Sequence, residues 1–219
     1  MEKSLKFLIY KKSEIKLHSS RFNILLLTSF LLTIAILFLI IKFQMAYFLI
    51  LLIPAYFANM FAYWSSKIVF LKPLGKPVDL NLKWFDGSRL LGNSKTFRGV
   101  FSGISLAIIV AFIFYLLSPY FAQKTYQSIE ETLLFGFLVG FGAMIGDLIR
   151  SFLKRRLGMT SGKNWFLFDD LDFVVGALFF MSIYIKFPMN FVILTLIGTI
   201  PLRVFTHIID FKLKAKKFY

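Results

Sequence analysis

The 219-residue chain has no cysteine and only two histidines, His18 and His207. Disulfides and thiolate ligands are therefore excluded, and a zinc site lacks its usual donors. Acids are also scarce: 11 Asp and Glu stand against 26 Lys and Arg, for a net charge of +15. Internal repeats, heptads and low-complexity tracts are absent. Apolar residues are abundant, with 58% hydrophobic residues and 29 Phe. A soluble domain of this length could not bury so much apolar surface, so the expected class is an all-α integral membrane protein.

A bilayer core about 30 Å thick needs roughly 20 apolar residues per helix. Residues 22–41, 45–64 and 99–118 meet this, the second with Pro54 and Asn59 inside it. Residues 132–146, 173–185 and 189–202 are shorter apolar stretches, giving about six spans. The basic residues segregate accordingly. Six lie in residues 1–21, seven in 65–98, five in 149–172 and five from Arg203 onward, while the intervening loops hold only Lys42, Lys124 and Lys186. By the positive-inside rule the chain is a multi-pass protein of the cytoplasmic membrane, with both termini and the two long loops cytoplasmic. The excess charge is thus a topology signal and not a nucleic-acid footprint. A basic tail with a first helix (1–44) is expected to precede a membrane domain (45–219).

The few acids cluster. Asp169, Asp170 and Asp172 fall where the fifth helix should begin, and Asp147 closes the fourth apolar stretch ahead of Arg150, Lys154, Arg155 and Arg156. Ionisable groups at a bilayer edge are costly unless they bind or transfer something. A fourth helix continued past the bilayer would align Asp147, Ser151 and Lys154 on one face, with Arg150 and Arg155 flanking it. Helix capping accounts for one acid of the 169–172 group but not three. Hard carboxylate oxygens suit magnesium, shared with substrate phosphates. In the other loop, Gly92-Asn93-Ser94-Lys95-Thr96 lacks the full Walker pattern. It still presents backbone N–H groups, Lys95 and Arg98 to an anion. The plain alternative is a basic loop capped by Ser94. Gly136, Gly140, Gly142 and Gly146 form two small-xxx-small pairs that let helices approach closely and fix Asp147 against a neighbour. Asn59 is expected to satisfy a backbone break after Pro54, or to face the site.

The run Gly146-Asp147, Ser151, Lys154-Arg155-Arg156-Leu157-Gly158 and Asp169-x-Leu171-Asp172-Phe173 through Ala177 resembles the CDP-archaeol synthase family, membrane relatives of the phosphatidate cytidylyltransferases. Pro54-Ala55-Tyr56-x-Ala58-Asn59 and Gly92-x-x-Lys95-Thr96-Phe97-Arg98-Gly99 resemble its other blocks, and together the similarity covers roughly residues 50–210. Asn93, Phe97 and Asp170 depart from the family's usual residues. The resemblance implies a five-helix core, here with an added N-terminal helix, and two cytoplasmic functional loops. It implies transfer of CMP from CTP to a phosphorylated glycerolipid, an ether lipid phosphate or phosphatidic acid, releasing pyrophosphate. In that reading Asp147, Asp169 and Asp172 hold Mg2+, with Lys154 also catalytic. Asn59, Asn93, Lys95, Thr96, Arg98, Ser151 and Arg155 bind substrate. The partners are CTP and a membrane lipid, with a homodimer compatible and nucleic acid excluded.

Three rivals fit less of the chain. A membrane prenyltransferase would ordinarily need two Asp-rich motifs, and only 169–172 qualifies. A CDP-alcohol phosphotransferase is hinted at by Asp86-Gly87-Ser88-Arg89, but the paired downstream acids are missing. A small transporter would line a pathway with charge, and three of the spans carry no internal acid.

Overall fold

A computed structural model describes residues 23–39, 46–117, 128–160, 165 and 168–215. The N-terminal basic tail, Lys42, Lys124, Lys163 and the side chains of Asp170 and His207 lie outside the described residues. By contacts the chain divides into two compact units, residues 40–196 and residues 1–39 with 197–219.

Among the described residues the architecture is all helical, with two isolated antiparallel bridges and no strand. The helices are α1 (Asn23–Leu39), α2 (Ala46–Trp64), α3 (Phe97–Leu117), α4 (Ile129–Arg156), α5 (Phe168–Tyr184) and α6 (Met189–Ala215). Short 3-10 turns at Ser65–Lys67 and Val69–Leu74 follow α2. Segments 48–67, 97–117 and 129–156 are long and apolar enough to cross a membrane, while the apolar parts of α1, α5 and α6 are shorter.

Each apolar stretch expected from the sequence corresponds to one of these helices over the described residues, and α4 overruns its stretch at both ends. At the start, Ser128 takes an extended conformation and its side chain accepts the Glu131 amide at 3.2 Å, with Glu130 and Glu131 in the first turn. That is a capping arrangement with acids at the positive end of the dipole. At the far end Lys154, Arg155 and Arg156 suit the negative end, and Gly158 stops the helix at φ 68°. Two expectations are corrected. Helix α2 runs unbroken through the buried Pro54, so Asn59 repairs no backbone break. The residue that caps α3 is Thr96, whose Oγ1 accepts the Gly99 amide at 3.2 Å, and not Ser94.

Within residues 40–196, α4 packs against α2, α3 and α5. Its glycines divide the labour. A methyl added at Gly136 would lie 2.9 Å from Ala111 Cβ, and one at Gly140 2.6 Å from Ala107 Cβ, so this pair seats α3. A methyl at Gly142 would lie 2.5 Å from the Gly176 carbonyl oxygen, and one at Gly146 would overlap the carbonyl of Asp172, so the other pair seats α5. The α4–α5 crossing is therefore backbone against backbone. It places Asp147 beside Asp172. Phe135, Val139, Ala143, Val174 and Ala177 are fully buried around this crossing, while Phe137, Phe179 and Ile183 stay exposed. In the second unit the same close approach recurs, a methyl at Gly198 of α6 falling 2.9 Å from Ile36 of α1.

Candidate active site

The loop between the 3-10 turns and α3 is organised by one buried acid. Asp79 Oδ2 accepts amide hydrogen bonds from Gly92 at 2.9 Å and Leu91 at 3.1 Å, and Oδ1 accepts the Asn81 amide at 3.1 Å. The Arg89 guanidinium grips both oxygens. Leu80 and Asn81, next to Asp79, adopt positive φ, 47° and 67°, and Gly92 turns at φ 104°. Burial by itself would raise the Asp79 carboxyl, but Arg89 and the three amides outweigh it and hold it at about 2. A folded-state value below the ordinary 3.8 means that Asp79 stabilises the loop fully above about pH 4 and loses that contribution as pH falls toward 2. Asp79→Ala strands Arg89 and three donors, a loss of about 3 kcal/mol. Limited proteolysis of residues 79–93 should become rapid in this variant at neutral pH, and in the parent only near pH 3.

The loop tip is fastened to α4 by Arg156. Its guanidinium donates to Asp86 Oδ1 at 2.7 Å, Ser88 Oγ at 2.8 Å and the Arg89 carbonyl at 2.7 Å, and it lies over the rings of Trp84 and Phe152. The Asp86-Gly87-Ser88-Arg89 run is thus a turn held by Arg156 and Asp79. Val78 and Phe97 amides bond the carbonyls of Lys95 and Lys76 at 2.8 and 3.0 Å, which fixes the strand of chain that carries Lys95.

Lys95 then reaches α4, where its Nζ donates to both Asp147 oxygens at 2.6 Å. Arg150, one turn further along α4, meets three carboxylates at once. It donates to Asp147 Oδ1, stands 2.7 Å from Asp169 Oδ1, and brings Nε to 2.8 Å from Asp172 Oδ2. Lys154 donates to both Asp169 oxygens at 3.0 Å, and the Trp165 amide donates to Asp169 Oδ2 at 2.9 Å. Three acids and three bases thus form one network between two helices and a loop. None of the six side chains is more than 18% exposed, so bulk salt screens them little. Asp172 is the least satisfied member: its side chain is 6% exposed, and Oδ2 faces Arg150 Nε without hydrogen-bond geometry on either side.

The other residues singled out from sequence are distributed as follows. Ser151, buried beside the cluster, donates to the Asp147 carbonyl at 2.9 Å. Arg155 donates to the Met159 carbonyl and closes the end of α4. Thr96 caps α3, and Asn93 is exposed and accepts from Arg89. Arg98 lies at the start of α3 with a buried Nε that has no hydrogen-bond partner. Asn59 is half-buried on α2 and makes no hydrogen bond to the acids among the described residues. Sequence reasoning underrated Arg150 and Asp79. The signal for Arg150 was its i+3 spacing from Asp147, which puts it on the acidic face; nothing local marked Asp79.

Among the described residues no three acids or imidazoles by themselves enclose a metal. The donor chemistry nevertheless fits a hard divalent cation: three carboxylates converge on a single positive group, and one buried oxygen is left without a hydrogen bond.

Residues 36–219 match the model of the CarS-like family, CDP-archaeol synthase. The chain belongs to the CDP-archaeol synthase family. Relatives of that name include one from Methanospirillum hungatei JF-1, 35% identical over 179 residues, covering 76% of this chain and 98% of the relative. One from Methanocaldococcus jannaschii is 35% identical over 168 residues, covering 75% and 91%. Another, from Thermococcus gammatolerans, is 41% identical over 129 residues, covering 59% and 69%. A solved structure described as "Structural insight into an intramembrane enzyme for archaeal membrane lipids biosynthesis" is 26% identical with a TM-score of 0.51, covering 79% of this chain and 93% of its own. The whole acid–base network lies within the family match. The chain is accordingly a membrane protein of a family of enzymes.

Proposed function

We propose that this CDP-archaeol synthase family member transfers the cytidylyl group of CTP to the phosphate of an archaeal-type ether lipid. A lipid phosphate oxygen attacks the α-phosphorus of CTP, the bond to the β-phosphate oxygen breaks, and CDP-archaeol and pyrophosphate form. The observation that supports this most is the network itself: acids of α4 and α5 and bases of α4 and the 75–98 loop meet at one end of the helices, in a chain of this family.

The lipid phosphate is an anion near neutral pH, so the site need supply no strong general base. Positioning and charge stabilisation provide the rate, as in other phosphoryl-type transfers. Lys95, Lys154 and Arg98 meet the phosphates of CTP and lipid when these bind, and offset the charge that develops on the leaving pyrophosphate. Asp147, Asp169 and Asp172 would hold magnesium, which when bound neutralises and aligns the triphosphate. Thr96, Ser151, Arg155 and Asn93 act on the backbone and on Arg89, keeping these groups in place, while Asn59 is left to the lipid side.

Helix lengths favour a site at the membrane surface. At roughly 1.5 Å per residue, the 17 residues of α5 span about 26 Å, less than the roughly 30 Å of hydrocarbon, with the acids in its first turns. The 28 residues of α4 span about 42 Å and carry Arg155 and Arg156 beyond it. We place this surface on the cytoplasmic side, where CTP is, with six spans and both termini inside.

Purified protein with labelled CTP and Mg2+ should convert 2,3-digeranylgeranyl-type glycerol phosphate to its CDP-lipid with release of pyrophosphate. Dipalmitoyl phosphatidate in place of the ether lipid separates the acceptors. A product from neither lipid phosphate ends the proposal; a product from phosphatidate alone reassigns the lipid.

A further inference from the structure

Arg150 has no place in the family resemblance drawn from the sequence, yet it is the centre of the network. Every other cation there serves one acid: Lys95 serves Asp147, and Lys154 serves Asp169. Arg150 spans Asp147, Asp169 and Asp172 with its three donor edges, and for Asp172 it is the one cation in ion-pair contact among the described residues. Three carboxylates this close would repel one another strongly in a site so poorly screened. The guanidinium is what lets them assemble. It also cannot yield its place by losing a proton, since it stays charged at any accessible pH.

A divalent cation recruited by these carboxylates meets acids that each already face a resident cation, and it can bind only where one of those contacts is given up. The contact easiest to give up is that of Arg150 with Asp172, 2.8 Å apart but with neither atom hydrogen-bonded. Once carboxylates turn to the metal, Arg150, Lys95 and Lys154 are left facing the anionic phosphates that arrive with it.

Resting on the magnesium reading above, we propose that Arg150 is the resident counter-cation of the site: it holds Asp147, Asp169 and Asp172 together until a divalent cation replaces it, and it then turns to the phosphates of the nucleotide. Metal and nucleotide binding are thereby coupled through one side chain, because each releases the partner the other needs.

The test measures Mn2+ binding to the full chain in detergent by electron paramagnetic resonance, without lipid phosphate. Arg150→Gln should bind Mn2+ at least about tenfold more tightly than the parent in the absence of nucleotide, since its competitor is gone, and should lose the gain in Mn2+ affinity that CTP confers on the parent. In chelator it should also melt below the parent, with saturating Mn2+ closing that gap. Weaker or unchanged Mn2+ binding by folded Arg150→Gln overturns the inference while leaving the magnesium reading intact. Failure of the parent to bind Mn2+ with or without CTP removes the magnesium reading and this inference with it. If Arg150→Gln does not fold, the parent decides: reductive methylation of Lys95 and Lys154 should quicken when Mn2+ alone is added and slow again with CTP. Unchanged labelling at saturating Mn2+ overturns the swap.

Discussion

Asp172→Asn should lower CDP-lipid formation by about 10³-fold while the protein still folds, a barrier increase of about 4 kcal/mol. The two halves of that expectation have separate origins. Asparagine keeps the size of the side chain and removes its charge, and Oδ2 accepts no hydrogen bond that folding would miss. Removal of the charge takes away one of three anionic donors from the face where the triphosphate must be neutralised. Initial rates with labelled CTP at saturating Mg2+, beside a thermal melt in detergent, check both. A rate within threefold of the parent would show that Asp172 holds no metal. A collapsed melt would instead show that its charge is needed to offset Arg150.

A substitution that touches no charged group should be nearly as damaging. Gly146→Ala puts a methyl into the Asp172 carbonyl, and Gly176→Ala puts one into the Gly142 carbonyl, at a crossing where neither partner is a side chain that can swing aside. The helices must separate by roughly 1 Å, and overpacking of this kind costs about 1–3 kcal/mol of stability. The catalytic cost is larger, because Asp147 and Asp172 sit on opposite sides of this seam and a displacement of about 1 Å at reacting groups is worth roughly 100-fold. Gly136→Ala, whose methyl meets α3 rather than α5, is the control: comparable destabilisation with a smaller loss of turnover. Equal activity losses for Gly146→Ala and Gly136→Ala would mean that the α4–α5 seam has no special bearing on the chemistry.

The helices were legible in the sequence because a bilayer demands long apolar runs and tolerates few charges. The ends of the helices were not, since they are set by polar groups that hydropathy ignores: Ser128 with Glu131 begins α4 three residues before the apolar stretch, and Gly158 ends it well after. The acids of the site stood out for the same reason as the helices, as costly groups beside apolar runs. Their convergence followed from glycine spacing on α4, read correctly as close packing. The loop gave up Lys95 by its composition, but its internal logic was hidden. Asp79 reaches Arg89, Leu91 and Gly92, ten to thirteen residues away, and no periodic pattern records such a contact. Arg156 looked like a member of a basic juxtamembrane cluster, and only the fold shows it gripping the loop tip through Asp86 and Ser88. Arg150 was passed over because a base beside acids reads as mere neutralisation until its three partners are seen to come from two helices.

The proposed transfer requires the carboxylates of α4 and α5 to share one divalent cation with the nucleotide. Anomalous diffraction from crystals of the protein grown with MnCl2 and CTP tests this most directly. The expected result is a manganese peak within coordinating distance of Asp147, Asp169 and Asp172 and of the triphosphate. Bound CTP with manganese elsewhere, and Arg150 still spanning all three acids, would contradict it.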